Sequence, residues 1–199
     1  MTEIDAQQEL AFIKKVMSDS RKILLDDGKG FIFWGILVTI GLMVTYLSVS
    51  GRWQVSLGWF WPALVAIGWI YTIVTEIRRE RRSKTSTFAG KVLGGLWLAV
   101  GISATILGFV GSLSGAYHGV FISPLISIVL GIGYLLSGIL YGKNWLALLS
   151  IGWWLGSIIM FFMQNLEVIL VMIGMMIILQ IIPGIILFYE FNREKKAIA

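Results

Sequence analysis

Residues 31–49 read FIFWGILVTIGLMVTYLSV, an apolar run with no ionised side chain in it. A helix rises 1.5 Å per residue, so this run covers about 28 Å, close to the ~30 Å thickness of the hydrocarbon layer of a bilayer. A helix of a soluble domain would instead carry an apolar stripe opposite a charged face. The run therefore predicts a transmembrane helix.

Five further runs of this kind follow, at 58–75, 92–112, 120–141, 145–163 and 168–188. The chain is 57% hydrophobic and only 14% charged, whereas globular chains have about 25% charged residues. We therefore expect an all-α polytopic membrane protein. Its six transmembrane helices, within residues 31–189, are predicted to form three helical hairpins in series, followed by a cytoplasmic tail at 190–199.

The positions of the 16 Lys and Arg residues predict the orientation of the chain. All of them except Arg52 precede the first run, lie between runs two and three or four and five, or follow run six. Cytoplasmic loops retain Lys and Arg, whereas short translocated loops exclude them. Both termini are therefore predicted to be cytoplasmic, and the net charge of +5 indicates topology and not direct nucleic-acid binding.

Residues 1–30 are predicted to form an amphipathic interfacial helix that ends at the glycine-containing break Asp27–Gly30. Apolar residues recur at spacings of three, four and seven beside a basic face, the pattern of a helix at a membrane surface. This helix either lies on the membrane or the bundle floor, or docks another protein. The candidate contact residues are Leu10, Ile13, Lys14, Lys15, Met17, Arg21 and Lys22.

A second candidate contact is the basic run after the second apolar stretch, which includes Arg78, Arg79, Arg81 and Arg82. As a topology determinant the run needs no further function. Alternatively, it binds anionic lipid head groups or an acidic cytoplasmic partner.

Glycine and tryptophan dominate the intramembrane pattern, with 23 Gly and nine Trp residues. Small residues recur on one face of the third run, where Gly101 and Gly108 lie, and such faces let helix backbones approach closely in lipid. We expect this face to pack within one bundle, with homo-oligomerisation as the alternative. The deeper tryptophans, Trp69, Trp97, Trp153 and Trp154, are expected to fill the spaces that glycines leave, or else to line a hydrophobic cavity.

Gln180 is the one strong amide dipole near the middle of a predicted span, and Pro183 follows three residues later. Proline removes a backbone donor, so the sixth helix is expected to bend there. We interpret Gln180 as one side of an interhelical hydrogen bond that supports the bend. A ligand or gating position is the alternative.

The sequence offers no catalytic constellation. Cysteine is absent, His118 is the only histidine, and no HExxH, P-loop or GxSxG motif occurs. We therefore expect a non-enzymatic protein with no catalytic residues, cofactor or metal site.

Two short segments, FIKKVM at 12–17 and DDGKGFIFWG at 26–35, resemble small uncharacterised bacterial integral membrane proteins, some of them encoded beside winged-helix transcription regulators. The resemblance implies a bacterial inner-membrane setting and a regulatory partner. It implies no functional residues.

Two functions fit these observations. The first is a membrane scaffold or regulator that acts through its cytoplasmic face, and the second is a small transporter or channel for an uncharged or apolar solute. A transporter needs a hydrated, polar-lined path, and the sequence has few polar residues at midplane depth. The scaffold is therefore the favoured hypothesis.

Overall fold

The structure, a computed structural model, describes residues 28–82, 88–163 and 165–198, and these residues form helices joined by short loops. The predicted interfacial helix lies outside the described residues. The helices are α1 (Lys29–Val49), α2 (Leu57–Arg82), α3 (Phe88–Thr105, continued by a π-helical stretch, Ile106–Gly111), α4 (Ile122–Tyr141), α5 (Asn144–Phe162) and α6 (Glu167–Met175, a π-helical stretch Met176–Ile181, and Ile182–Ile198).

Each of the six helices contains a segment long and apolar enough to cross a membrane. All six segments begin within two residues of the predicted starts, which confirms the prediction of an all-helical chain with six such segments. The sixth segment, Glu167–Lys196, is the longest at 30 residues. At 1.5 Å per residue it extends about 45 Å, so its last turns project beyond a ~30 Å hydrocarbon layer.

The sequence does not predict which helices lie beside each other in the bundle. The most extensive contact joins α4 to α5, which belong to different predicted hairpins; α6 lies against α1 and also touches α5. A tight turn makes the α4–α5 contact, because Gly142 adopts a left-handed backbone (φ 66°) and the Lys143 amide donates to the Gly138 carbonyl (2.8 Å). α3 packs on α4, α2 packs on α1, and the α2 and α3 backbones stay largely apart.

Tryptophans join the outer helices to their neighbours through a recurring arrangement, which we call the indole clamp. In the first clamp the Trp61 ring of α2 covers Gly41 of α1; a Cβ added at Gly41 would lie 2.7 Å from that ring. The indole N–H of Trp61 donates to Thr45 Oγ1 (2.9 Å), and Thr45 in turn donates to the Gly41 carbonyl (2.8 Å). Glycine thus makes room for the ring, and the hydroxyl four residues later holds its polar edge.

Three further indole clamps have the same spacing of four residues between the glycine and the hydroxyl. They join α1 to α2, α2 to α3 and α3 to α4. Their members are Trp34 with Gly68 and Thr72, Trp69 with Gly101 and Thr105, and Trp97 with Gly133 and Ser137. The prediction that deep tryptophans fill the spaces left by glycines is confirmed at Trp69 and Trp97, and at Trp154, which covers Gly131; no glycine of the described residues lies against Trp153.

The glycine face of α3 packs less closely than its periodicity predicts. Gly101 lies under the Trp69 ring, and a Cβ added at Gly101 would lie 3.0 Å from that ring. A Cβ added at Gly108 would meet nothing within 4 Å. The prediction of close packing is therefore confirmed at Gly101 and wrong at Gly108. The physical reason is that the α2 and α3 backbones lie apart, so Gly101 is covered only because the long Trp69 side chain reaches it.

We expect Gly101→Leu to lower stability by about 1–3 kcal/mol, because the new side chain displaces Trp69 and breaks its bond to Thr105. Gly108→Leu is the matched control and should melt at or slightly above the wild-type temperature, since leucine favours helix over glycine by roughly 0.8 kcal/mol. Thermal melting in a neutral detergent measures both. Equal melting of the two variants would contradict the clamp at Gly101.

Candidate functional site in the bundle core

The polar centre of the bundle is Gln180, which is only 4% exposed. It lies in the π-helical stretch Met176–Ile181 of α6, just before the buried Pro183. A π-helical stretch therefore comes directly before the point at which the sequence predicts a bend. π-helical turns inside α-helices occur frequently at functional sites, and Gln180 is the polar side chain of this one.

Gln180 is hydrogen bonded across the bundle to Tyr134 of α4. The Tyr134 hydroxyl donates to Gln180 Oε1 over 2.7 Å, and Tyr134 is fully buried. On α1, Gly35 permits this approach, because a Cβ there would lie 3.0 Å from Gln180 Cγ. The pair therefore joins α4 to α6 at a point where α1 also comes close.

Aromatic rings from three helices enclose this hydrogen bond. The Tyr134 ring lies 5.4 Å from Phe31 of α1, 6.0 Å from Trp97 of α3 and 5.8 Å from Trp153 of α5, measured between ring centroids. The first two contacts are edge-to-face, the geometry that ring quadrupoles favour. We call Tyr134, Gln180 and these three rings the core cluster.

Most other buried side-chain hydroxyls around the core cluster also bond within the protein. Ser127 of α4 donates to the Trp153 carbonyl (2.7 Å), and Ser157 of α5 donates to the Pro124 carbonyl (2.8 Å). Each of these bonds crosses the α4–α5 contact. Unsatisfied polar groups are costly in a low-dielectric interior, so these pairs hold the helices in one register.

Trp153 is an exception within the described part of the chain, since its indole N–H is buried without a hydrogen-bond partner. Its ring is fully buried among apolar and aromatic neighbours. Packing, not hydrogen bonding of its N–H, therefore accounts for its position.

The chemistry available to the core cluster is neutral hydrogen bonding. Tyr134 and Gln180 carry no charge at neutral pH, and the neighbouring side chains are apolar, aromatic or hydroxyl-bearing. The described residues contain no group of three or more His, Cys, Asp or Glu residues that would hold a metal ion. The observed geometry supports the interpretation of Gln180 as an interhelical link, and it provides no nucleophile with an adjacent base.

Charged side chains meet at one end of the bundle. Lys143, in the turn between α4 and α5, forms an ion pair with Glu190 of α6, and Lys29 at the start of α1 lies 5.9 Å from the centre of the Phe188 ring. The sequence placed Lys143 and Glu190 on the same predicted side but gave no sign that they pair. This end therefore ties α1, the α4–α5 turn and α6 together.

The remaining candidates from the sequence are not brought to the core cluster. Leu10, Ile13, Lys14, Lys15, Met17, Arg21 and Lys22 lie outside the described residues. Arg78 is exposed near the end of α2, and Arg79, Arg81 and Arg82 continue the same helix. Tyr134 was missed by sequence reasoning; its one signal is an aromatic hydroxyl in the glycine-rich stretch of α4.

Comparison of the chain with protein-family models, with curated proteins and with solved structures found no match. The site therefore has to be interpreted from its own chemistry.

The hydrogen bond between Tyr134 and Gln180 can be measured with a double-mutant cycle. We expect Gln180→Leu to cost about 1 kcal/mol. The coupling energy with Tyr134→Phe should be roughly 0.6 kcal/mol, the mean for hydrogen bonds between membrane helices, and at most about 1.7 kcal/mol. Chemical unfolding in detergent gives the four stabilities. A coupling energy of zero would contradict a structural role for this bond.

Proposed function

We propose that this chain is a non-enzymatic membrane scaffold or regulatory protein of the bacterial inner membrane that acts through its cytoplasmic face. In this proposal α1 to α6 cross the bilayer as three hairpins, each starting in the cytoplasm. The N-terminal amphipathic helix lies at the cytoplasmic interface and contacts a protein partner or anionic lipid. Both termini are cytoplasmic.

An apolar outer surface supports the membrane placement. Large apolar side chains are exposed along all six helices; examples are Ile40 (52%), Ile70 (62%), Leu148 (62%) and Ile178 (60%). A monomeric soluble protein rarely exposes apolar patches on this scale. Lipid chains would cover such a surface.

The charged ends of the helices support the orientation. Lys29 begins α1, Arg78 lies near the end of α2, Lys91 lies near the start of α3, and Lys143 lies in the α4–α5 turn. Helices that alternate in direction bring all four to the same end, the end that retains basic residues in the cytoplasm. Arg52 falls at the opposite end.

The proposal depends mainly on one observation: apart from the Trp153 N–H, the core polar groups described above have hydrogen-bond partners inside the protein. Ser127, Ser157 and the Tyr134–Gln180 pair all have partners inside the protein. A transport path needs polar groups that face water or solute, whereas a scaffold needs only a packed interior. The ends of the helices are then left as the surfaces on which a partner can act.

Cysteine labelling tests the orientation, because the chain contains no cysteine of its own. Single cysteines at Gln54 and Ser114 should react with an impermeant thiol reagent on intact cells, and one at Ala197 should react only after lysis. The reverse pattern would overturn the topology and with it the proposed site of action.

Co-purification tests the function. Wild-type chain purified in mild detergent from its native host should retain a cytoplasmic protein, and Ile13→Gln/Met17→Gln, which alters the apolar face of the N-terminal helix, should lose it. Lys14→Gln/Lys15→Gln tests separately whether the basic face of the helix contributes to that contact. If no protein is retained by the wild type under mild conditions, the scaffold proposal is wrong.

The π-helical stretch around Gln180 favours the second candidate function, a transporter or channel for an uncharged or apolar solute. Flux into liposomes distinguishes the two functions. Solute movement that is retained by a chain lacking residues 1–25 and lost in Gln180→Leu would replace the scaffold proposal with a transporter.

A further inference from the structure

The C-terminal part of α6 carries a stripe of exposed residues that changes in character along the helix. Its members are spaced by four, three, four and three residues, the spacing that keeps side chains on one face. From the bundle outward they are Ile182 (45% exposed), Ile186 (41%), Tyr189 (69%), Arg193 and Lys196. We call this face the α6 stripe.

The order of residues in the α6 stripe matches the layers of a bilayer surface. Ile182 and Ile186 suit the acyl chains, Tyr189 suits the interface where aromatic rings with a polar tip collect, and the two bases suit the head groups. At 1.5 Å per residue, Arg193 lies about 6 Å beyond Tyr189 and Lys196 about 4.5 Å further. The stripe therefore presents positive charge directly above an apolar surface.

The acidic side chains on this part of α6 lie away from the stripe. Glu190 is about 80° around the helix from the middle of the stripe and Glu194 about 120°, from a rotation of 100° per residue. Glu190 also forms its ion pair with Lys143 of the α4–α5 turn. The stripe is thus uniformly basic at its outer end, and its charge is complementary to a phosphate-bearing lipid.

From these observations we infer that the α6 stripe binds an anionic phospholipid. Arg193 and Lys196 contact its phosphate, Tyr189 lies at the level of the glycerol, and the acyl chains lie along Ile186 and Ile182. Such a lipid would hold the projecting end of α6 against the membrane surface. The inference rests on the proposed membrane placement, although it does not depend on the N-terminal helix or on any protein partner.

Native mass spectrometry of the full chain in neutral detergent tests the inference, with phosphatidylglycerol and phosphatidylcholine of identical acyl chains as the probes. We expect phosphatidylglycerol to be retained in preference. Lys196→Gln should weaken its binding about fivefold, the ratio that corresponds to ~1 kcal/mol for one base near a membrane surface. Arg193→Gln/Lys196→Gln should weaken it further.

Lys195→Gln is the matched control, because Lys195 is exposed on the same turn but points about 100° away from Lys196. It should change phosphatidylglycerol binding by less than about twofold. Melting temperatures near the wild-type value would show that all three variants remain folded.

If the Lys195 and Lys196 variants lost phosphatidylglycerol binding equally, the inference would be overturned. The lipid would then be attracted by the general surface charge and not held at the α6 stripe. Equal retention of the two lipids would also overturn it. A third contradictory result is unchanged phosphatidylglycerol binding in the Arg193→Gln/Lys196→Gln variant. Because the measurement needs no partner and no orientation, its failure is distinguishable from failure of the scaffold proposal.

Discussion

Trp153→Ala should destabilise the bundle by about 3–5 kcal/mol, the range for truncating a buried tryptophan. Trp153 is fully buried and its ring packs on Tyr134 at 5.8 Å. Removing it leaves a cavity beside Tyr134 that α4 and α5 cannot close, because Ser127 and Ser157 already fix their register. Chemical unfolding in detergent measures the loss.

Two controls show which property of Trp153 matters. Trp153→Phe should cost much less, because it keeps most of the ring and removes an N–H that has no hydrogen-bond partner in the described residues. Trp59→Ala should be near neutral in detergent, since Trp59 is 81% exposed. If the Trp153 variants to Phe and to Ala were equally unstable, the N–H and not the packing would be the important group.

The spans were predictable because the bilayer imposes one length and one kind of composition on every crossing helix. The deep tryptophans were also predictable in kind, since small and large residues have to complement each other in a packed interior. In both cases the information is local to the segment. It needs no knowledge of which helix lies beside which.

The contacts between side chains of different helices were not predictable, because they depend on how the helices assemble. The periodicity of α3 places Gly101 and Gly108 on one face. Only the assembled bundle shows that Trp69 of α2 covers Gly101 and that no atom lies within 4 Å of a Cβ added at Gly108. Gln180 was recognised as polar and buried, yet Tyr134 lies 46 residues earlier in the chain. No local pattern joins the two.

The bundle uses two different means of joining its helices. The outer contacts, from α2 to α1 and from α3 to α2 and α4, include indole clamps, in which a long side chain spans the space between backbones. The α4–α5 contact also has an indole, Trp154, over Gly131, but at Gly138 the backbone of α4 meets the backbone of α5 directly. An atom added to the glycine of an indole clamp can be accommodated by movement of the ring. An atom added where two backbones meet can be accommodated only by movement of a helix.

This difference sets the expected effect of Gly138→Ala. A Cβ at Gly138 would lie 2.6 Å from the Cα of Ala147 on α5, closer than packed carbon atoms approach. The methyl group must therefore push α4 away from α5 at this contact. We expect a loss of about 1–3 kcal/mol, the range for overpacking.

Gly174→Ala makes the same chemical change at a helical glycine of α6 where an added Cβ meets nothing within 4 Å. It should raise stability by about 0.5–1 kcal/mol, because alanine loses less backbone entropy in a helix than glycine does. The two variants are thus expected to shift the unfolding transition in detergent in opposite directions. Shifts of the same sign would show that α4 and α5 do not meet at Gly138. Opposite shifts would show that one methyl group is enough to reveal where the backbones of this bundle touch.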